Sequence, residues 1–238
     1  MEAKTIILGI IVIVILYIVY LYYFSTGQVY LAGLTSAKNN PTTIQASSLP
    51  GGNSVDFAYS TWVYISNWTT GSKKPLLVRG KSDAPGDFYM SAVLGETLNN
   101  LDVFLKVSSG GQALGGGYTQ CSLENVPIQA WTNIIITLNN SAVDLYMNGK
   151  LVRTCLLPTP FAAGSGLAGS PLHITPGSGF EGYTSNTQYL NAAVNPRQAW
   201  NIYKEGPGGG NFFTNMLNKY RLKIAFLKDN QEVGSFDI

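Results

Sequence analysis

The chain contains 238 residues and carries a net charge of +2, and charged residues make up 12% of it, about half the usual share. Its longest run of basic residues is the pair Lys73 and Lys74, so it lacks the clustered positive charge that binding to nucleic acid requires. One histidine and two cysteines exclude zinc sites with four Cys or His ligands, and they disfavour a histidine-dependent catalytic triad.

Residues 1–24 are predicted to be a transmembrane anchor. The segment 5–24 contains 18 apolar residues and no charge, and as a helix it would be about 30 Å long, which matches the hydrocarbon thickness of a bilayer. A cleaved signal peptide is the alternative, but the apolar run is longer than signal peptides use and no small-residue cleavage site follows directly. The few basic residues near its ends leave the orientation open. The side chains expected in the lipid bilayer are Ile6, Ile10, Ile13, Tyr17, Tyr20 and Phe24.

Residues 25–54 are small, polar and rich in turn formers, so they are predicted to be a tether. The folded domain is predicted to span residues 55–238. There, short alternating or β-branched runs, such as those at 55–66 and 101–107, are separated by clusters of Gly, Asn, Pro and Ser. This pattern is typical of an all-β sandwich built from antiparallel strands.

A β-meander is predicted over residues 131–157, where two turns separate three strand-like runs. The second turn is Asn148-Gly149, a pair that suits a type I′ hairpin because both central residues adopt positive φ. A loop rich in Pro, Gly and Ala is expected at residues 158–179, followed by another β stretch at 180–190.

One helix and a C-terminal hairpin complete the predicted elements. Asn195 is a good N-cap, Pro196 suits the first helical position, and residues 197–204 continue the helix. Beyond it, alternating apolar and basic residues at 219–226 and a turn at 229–230 predict two further strands.

These motifs resemble the concanavalin A-like jelly roll in its laminin-G and pentraxin branch. Trp131 followed by the stretch Val143-Asp-Leu-Tyr-Met-Asn-Gly-Lys-Leu-Val152 is similar to the core signature of that family, and residues 180–196 are similar to its later F-x-G stretch. The resemblance covers residues 55–238. It implies an all-β antiparallel jelly-roll sandwich, here preceded by one N-terminal transmembrane helix.

A narrower resemblance concerns the whole arrangement of anchor, tether and domain. Together with Cys121 and Cys155 around the meander and residues 204–207 after the helix, it is similar to membrane-anchored proteins of large icosahedral DNA viruses of the algal chlorovirus type. This implies a non-enzymatic minor capsid protein that links the internal membrane of a virion to capsid proteins. The expected partners are therefore a lipid bilayer and capsid proteins.

The two cysteines flank the meander, so a disulfide between Cys121 and Cys155 would close it. Two inert buried thiols are the alternative, which applies if the domain matures in a reducing compartment.

Calcium is the one cofactor that the family resemblance suggests. Laminin-G and pentraxin relatives hold the ion with oxygen ligands from two loops, and Asp83, Asp87 and Asp56 are weak candidates here. Ordinary solvated loop aspartates are the alternative, and otherwise no cofactor is expected.

The alternative function is a membrane-anchored, lectin-like module that binds glycans. Trp68 and Tyr118 are the candidate stacking residues, and Asn-rich turns would bond sugar hydroxyls. The alternative is that Trp62, Trp131 and Trp200 are core residues and that the Asn residues only form turns. Glucanases of this fold place two carboxylates a few residues apart on one strand, but no E-x-D-x-x-E pattern occurs. The chain is therefore not expected to be an enzyme.

Overall fold

The fold is taken from a computed structural model. It describes residues 9, 12–17, 19, 27–52, 54–82, 84, 86–108, 117–163, 165–177, 179–208, 223–228 and 231–237, with the backbone path alone for the last two ranges.

The described residues form fifteen strands, two α-helices and one 3-10 turn, in addition to helical residues at 9, 12–17 and 19. The strands are β1 (Gln28–Ala32), β2 (Thr35–Ser36), β3 (Thr42–Ile44), β4 (Phe57–Ile65), β5 (Lys74–Gly80), β6 (Phe88–Leu94), β7 (Leu101–Lys106), β8 (Tyr118–Leu123), β9 (Thr132–Asn139), β10 (Ala142–Met147), β11 (Lys150–Leu156), β12 (Leu172–Ile174), β13 (Gly182–Leu190), β14 (Lys223–Lys228) and β15 (Gln231–Asp237). The 3-10 turn is Ala46–Ser48, and the helices are α1 (Ser165–Ala168) and α2 (Pro196–Lys204).

Thirteen of these strands build two antiparallel sheets. The first sheet has the order β1-β13-β4-β9-β10-β11, with β2 also pairing with β13, and the second sheet has the order β3-β12-β5-β6-β7-β8. The last two strands, β14 and β15, pair as a separate hairpin. The all-β antiparallel sandwich predicted from the sequence is confirmed.

The inner faces of the two sheets share one hydrophobic core. Strand β4 contributes Phe57, Tyr59, Val63 and Ile65 at alternate positions, as the period of a half-buried strand requires. Strand β7 does the same with alternate residues from Leu101 to Leu105. Helix α2 covers part of the outer face of the first sheet through a smaller cluster.

The predicted tether needs correction, because residues 25–54 contain strands of the sandwich. Strand β1 pairs with β13 at one edge of the first sheet, and β3 pairs with β12 at one edge of the second sheet. The folded domain therefore begins well before residue 55. Strands of two to five residues show too little alternation to be recognised among turn-forming residues.

The predicted anchor is described in part. Residues 9, 12–17 and 19 are helical, and Ile13 and Tyr17 are exposed on them. Ile6, Ile10, Tyr20 and Phe24 lie outside the described residues. Within the part of the chain that is described, none of the helices has the length and apolar character needed to span a bilayer.

The meander and the helix agree with the sequence analysis. Strands β9 to β11 follow one another in the first sheet, and both residues of the turn between β10 and β11, Asn148 and Gly149, have positive φ. The loop expected at residues 158–179 instead contains α1 and the three-residue strand β12.

Candidate functional site

Helix α2 is fixed at its N-terminus by a capping box. The Asn195 side chain accepts a hydrogen bond from the backbone N–H of Gln198, and the Gln198 side chain accepts one from the backbone N–H of Asn195, both at 3.0 Å. The two bonds satisfy donors that a helix start leaves without partners. Ala199 and Ile202 are buried against the first sheet, so Trp200 lies on the flank of the helix.

The turn between β10 and β11 sets the position of this helix. A β-carbon added to Gly149 would lie 2.9 Å from Cβ of Tyr203 and 3.0 Å from Cε3 of Trp200. The turn and the helix are therefore in direct contact. Asn148 ties the same turn to β9, because its Oδ1 accepts a hydrogen bond of 2.9 Å from the backbone N–H of Asn133.

Aromatic rings gather on the outer face of the first sheet beside α2. Trp62 and Tyr203 stack with ring centroids 5.5 Å apart, and Trp200 lies 5.3 Å from Tyr203. Tyr64 packs 5.5 Å from Trp131. We call this surface the aromatic–amide face. Its rings and neighbouring polar residues are Trp62, Tyr64, Trp131, Tyr183, Trp200, Tyr203, Asn133, Asn148, Ser185, Asn186, Gln188 and Glu205.

Part of this face is open to solvent. Trp200 is 44% exposed and Tyr183 is 46% exposed, while Tyr64, Trp131 and Tyr203 are half-buried. The assignment of Trp200 to the core is therefore corrected. The signal against it is helical spacing, since Ala199 and Ile202 at i and i+3 define the buried side and leave Trp200 on the flank.

Hydrogen bonds hold the polar side chains of the face in place. Gln188 Nε2 donates to Glu205 Oε2 at 2.6 Å and to Asn186 Oδ1 at 2.7 Å. Asn186 Nδ2 donates to the backbone carbonyl of Gly206 at 3.0 Å, and Ser185 Oγ donates to the carbonyl of Pro207. The segment after α2 is thereby joined to β13.

Two buried polar atoms of the face have no hydrogen-bond partner in the described part of the chain. They are the indole N–H of Trp62 and Oδ1 of Asn133, whereas Nδ2 of Asn133 donates to Ser60 Oγ at 3.1 Å. Trp62 and Asn133 are directly paired across β4 and β9. A donor and an acceptor therefore lie on adjacent strands without a partner, which is uncommon for buried groups.

Tyr118 does not form the stacking platform that the sequence suggested. It is 3% exposed, and its ring lies 4.5 Å from that of Phe88. Its hydroxyl donates to the carbonyl of Phe88 and accepts from the N–H of Gly86. This expectation is corrected: a side chain so enclosed cannot present a ring to a sugar.

Trp68 is half-buried against the core, and a lysine occupies its ring face. Lys74 Nζ lies 4.5 Å from the ring centroid and donates to the backbone carbonyls of Ser72 and Gly95. Burial lowers the pKa of Lys74, and the nearby Glu96 carboxylate opposes that shift. The contact is a cation–π interaction that closes one end of the core, so this ring face is not free for a glycan.

The calcium candidates do not form a cluster among the residues that are described. Asp56 Oδ1 accepts a hydrogen bond of 2.7 Å from the backbone N–H of Asn140, and Asp87 Oδ2 accepts one of 2.9 Å from Ser82 Oγ. Each carboxylate thus stabilises a turn. Asp83 lies outside the described residues, and within them no three Asp, Glu, His or Cys side chains come together as a metal site would require.

Cys121 and Cys155 form a disulfide, with their Cα atoms 5.9 Å apart. Cys121 lies on β8 and Cys155 on β11, the final strands in the order of each sheet. The bond therefore links the two sheets along one side of the sandwich.

Two antiparallel sheets packed face to face around one core form a β-sandwich, the architecture of concanavalin A-like domains. The family model described as the Concanavalin A-like lectin/glucanases superfamily (Laminin_G_3) matches residues 36–202. The chain belongs to this superfamily. A comparison with curated protein sequences found no match.

Solved structures with a similar fold include binding domains of botulinum neurotoxins. The botulinum neurotoxin serotype D binding domain is 12% identical, with a TM-score of 0.53 over 72% of this chain and 41% of that one. The binding domain of a serotype D/C neurotoxin is 12% identical, with a TM-score of 0.52 over 72% and 43%. The chain thus spans less than half the length of these domains.

A third similar structure is domain 4 of AbnA, an extracellular arabinanase from Geobacillus stearothermophilus, in complex with arabinotriose. It is 16% identical, with a TM-score of 0.47 over 62% of this chain and 66% of that one. Likenesses at these identities concern the fold alone.

Proposed function

We propose that this chain is a non-catalytic binding protein whose sandwich recognises carbohydrate through the aromatic–amide face. The observation that carries the proposal is the exposed ring of Trp200, held beside Tyr203 and Trp62 and next to side-chain amides. Flat apolar faces of sugars stack on such rings, and sugar hydroxyls bond to amide and carboxylate groups.

The polar part of the face supports the same proposal. The Trp62 N–H lacks an acceptor and Asn133 Oδ1 lacks a donor within the described chain, and a hydroxyl group can serve as both. Glu205 and Asn186 are held in fixed positions by Gln188, so their orientation requires little ordering on binding. The low charge content of the chain suits a neutral ligand.

The matched superfamily includes both lectins and glucanases by its description, and the sequence favours the first. The acidic pattern of the glucanases of this fold is missing from the amino-acid sequence. The neurotoxin domains that share the fold are described as binding domains.

The membrane anchor is a separate part of the proposal. Residues 5–24 carry no charge and are almost entirely apolar, so they would hold the domain at a bilayer as a single-pass segment. Alkaline carbonate extraction of membranes from cells that express the full chain tests this. We expect the chain to stay in the membrane pellet, and its release into the supernatant would contradict the anchor.

A structural role in a virion is the second candidate function, and strand β11 favours it. Leu151, Val152 and Leu156 are exposed on this strand, which pairs only with β10 among the described strands. Apolar edge strands of this kind bind other proteins by strand addition or packing. The chain would then be a minor capsid protein between an internal membrane and capsid proteins, and immunolocalisation in purified particles tests this.

A glycan array with the full chain in detergent tests the carbohydrate proposal. We expect selective binding that is lost in Trp200→Ala, because this substitution removes the exposed stacking ring. Leu98→Ala is the matched control, since Leu98 is an exposed apolar side chain outside the face. Equal binding by both variants, or no selective binding by the wild-type chain, would refute the assignment.

A further inference from the structure

Arg79 lies inside the sandwich. On strand β5 it pairs with Leu172 and Met90, and both of these residues belong to the core between the sheets. Directly paired residues point to the same side of a sheet, so the Arg79 side chain points inward. Its exposure is 2%.

The guanidinium group of Arg79 is mostly without hydrogen-bond partners. Nη2 donates to the backbone carbonyl of Leu167 at 3.0 Å, whereas Nε and Nη1 are buried and have no partner in the described part of the chain. A guanidinium group stays charged in proteins and carries five N–H donors. Buried donors of this kind almost always find an acceptor.

No acidic side chain of the described chain pairs with this charge. The ion pairs found there are Lys38–Glu181 and Arg153–Glu124. Tyr59 and Tyr189 belong to the same core and are directly paired on two adjacent strands of the opposite sheet, with ring centroids 5.2 Å apart. The positive charge of Arg79 acts on both phenols. Both phenols are neutral at neutral pH, so they cannot offset a buried cation, which is strongly unfavourable without a counter-charge.

The guanidinium group lies directly beneath an exposed loop. A β-carbon added to Gly52 would be 3.0 Å from Nη2 of Arg79, so the backbone of this glycine packs directly against the guanidinium group. Gly51 is exposed and Gly52 is half-buried. Two partly solvent-accessible glycines therefore lie next to the buried charge.

We propose that Arg79, with the hydroxyl groups of Tyr59 and Tyr189, forms an internal oxyanion-binding site beneath the Gly51–Gly52 turn. The ligand is an anion with several oxygen atoms, either a free phosphate or sulfate or the carboxylate of an acidic sugar. Its oxygens accept from the free guanidinium N–H groups, whose spacing matches a pair of oxygen atoms of a carboxylate or a phosphate, while the two phenols donate further hydrogen bonds. This site is independent of the aromatic–amide face, which is on the outer side of the first sheet.

Thermal unfolding of the full chain in detergent tests the site. Inorganic phosphate and glucuronate are titrated separately at millimolar concentration and neutral pH, with chloride added to keep the ionic strength constant. Because a ligand that binds the folded state stabilises it, we expect a saturable rise in the midpoint temperature with at least one of the two anions. A rise with phosphate alone identifies a free inorganic anion, and a rise with glucuronate alone identifies a sugar carboxylate.

Arg79→Met should abolish the saturable rise, and Arg153→Met is the matched control because that guanidinium is exposed and should leave the rise unchanged. Tyr189→Phe keeps the ring and removes one donor to the anion, so it should weaken binding roughly tenfold. If Arg79→Met fails to fold, the Tyr189→Phe variant still tests the proposed site. An equal response of wild type, Arg79→Met and Tyr189→Phe, or no response to either anion, would overturn the proposal.

Discussion

Gly149 lies directly against Trp200: a β-carbon added to the glycine would be 3.0 Å from Cε3 and 3.1 Å from Cα of the tryptophan. This contact joins the tip of the β10–β11 hairpin to helix α2. The same glycine has φ of +73°, so the local requirement of the turn and the close packing of the helix depend on one residue. The position of the exposed indole ring therefore follows from the geometry of the hairpin.

Gly149→Ala should lower the free energy of unfolding by about 2 to 4 kcal/mol. Roughly 1 kcal/mol comes from placing a β-carbon in the left-handed region, and about 1 to 3 kcal/mol comes from overpacking against Trp200 and Tyr203. Urea unfolding followed by tryptophan fluorescence measures the change. Gly71→Ala is the matched control, since Gly71 has φ of +82° and nothing lies within 4 Å of an added β-carbon. If the two variants lose equal stability, the proposed contact with α2 is wrong.

Asn195→Ala should destabilise the protein by about 1 kcal/mol, because it removes the capping box with Gln198 at the start of α2. The loss is measured by thermal or denaturant unfolding. Asn201→Ala provides the comparison. Asn201 is exposed in the same helix, and alanine has the higher helix propensity, so this variant should be neutral or slightly more stable. A reversed order of the two variants would contradict the role of the cap.

The parts of the fold that were predicted correctly depend on local chemistry. The Asn148-Gly149 turn and the Asn195 cap are set by residues next to each other in sequence, and long strands such as β4 show their period directly. The boundaries predicted for helix α2 therefore agree with the observed ones, Pro196–Lys204. Such features need no knowledge of what packs against them.

The parts that were missed depend on distant contacts. Strand β3 exists because it pairs with β12, and Thr43 bonds His173 across 130 positions of the chain. His173 in turn donates from Nε2 to the carbonyl of Gly80. The residues next to β3 and β12 in the sequence do not encode these pairings.

The candidate site was missed for a related reason. Tyr118 and Trp200 are both large aromatic residues, yet Phe88 packs against the first and solvent reaches the second. Which ring is open depends on the neighbouring element and not on residue type. Composition alone cannot rank tryptophans and tyrosines as stacking residues.

Removal of the disulfide by the double substitution Cys121→Ala and Cys155→Ala should cost about 3 to 4 kcal/mol. The bond spans 34 positions, and chain-entropy arguments for a loop of that size give this magnitude. Urea unfolding with and without a reducing agent measures it. The wild type should lose this stability under reducing conditions while the double variant shows no response, and a reductant effect of equal size on both proteins would contradict the prediction.

Alkaline pH should destabilise the protein through its buried tyrosines. Burial raises the pKa of Tyr59 and of Tyr189, and the positive charge of Arg79 opposes each shift without reversing it. The unfolded chain loses these phenolic protons at about pH 10, whereas the folded chain retains them to higher pH. Above pH 10 the folded state therefore binds more protons than the unfolded state, and stability falls as pH rises. Below pH 10 the stability that these two tyrosines contribute is fully present.

The Tyr59→Phe variant should reduce this alkaline loss, because the buried ring stays in place while its titrating hydroxyl is removed. Free energies of unfolding, measured by urea titration at a series of pH values on both sides of pH 10, reveal the slope for each protein. Tyr30→Phe is the matched control, since it removes one phenol from a ring that is 57% exposed on β1. An alkaline slope that is the same in Tyr59→Phe and in the wild type would show that Tyr59 does not couple proton loss to unfolding.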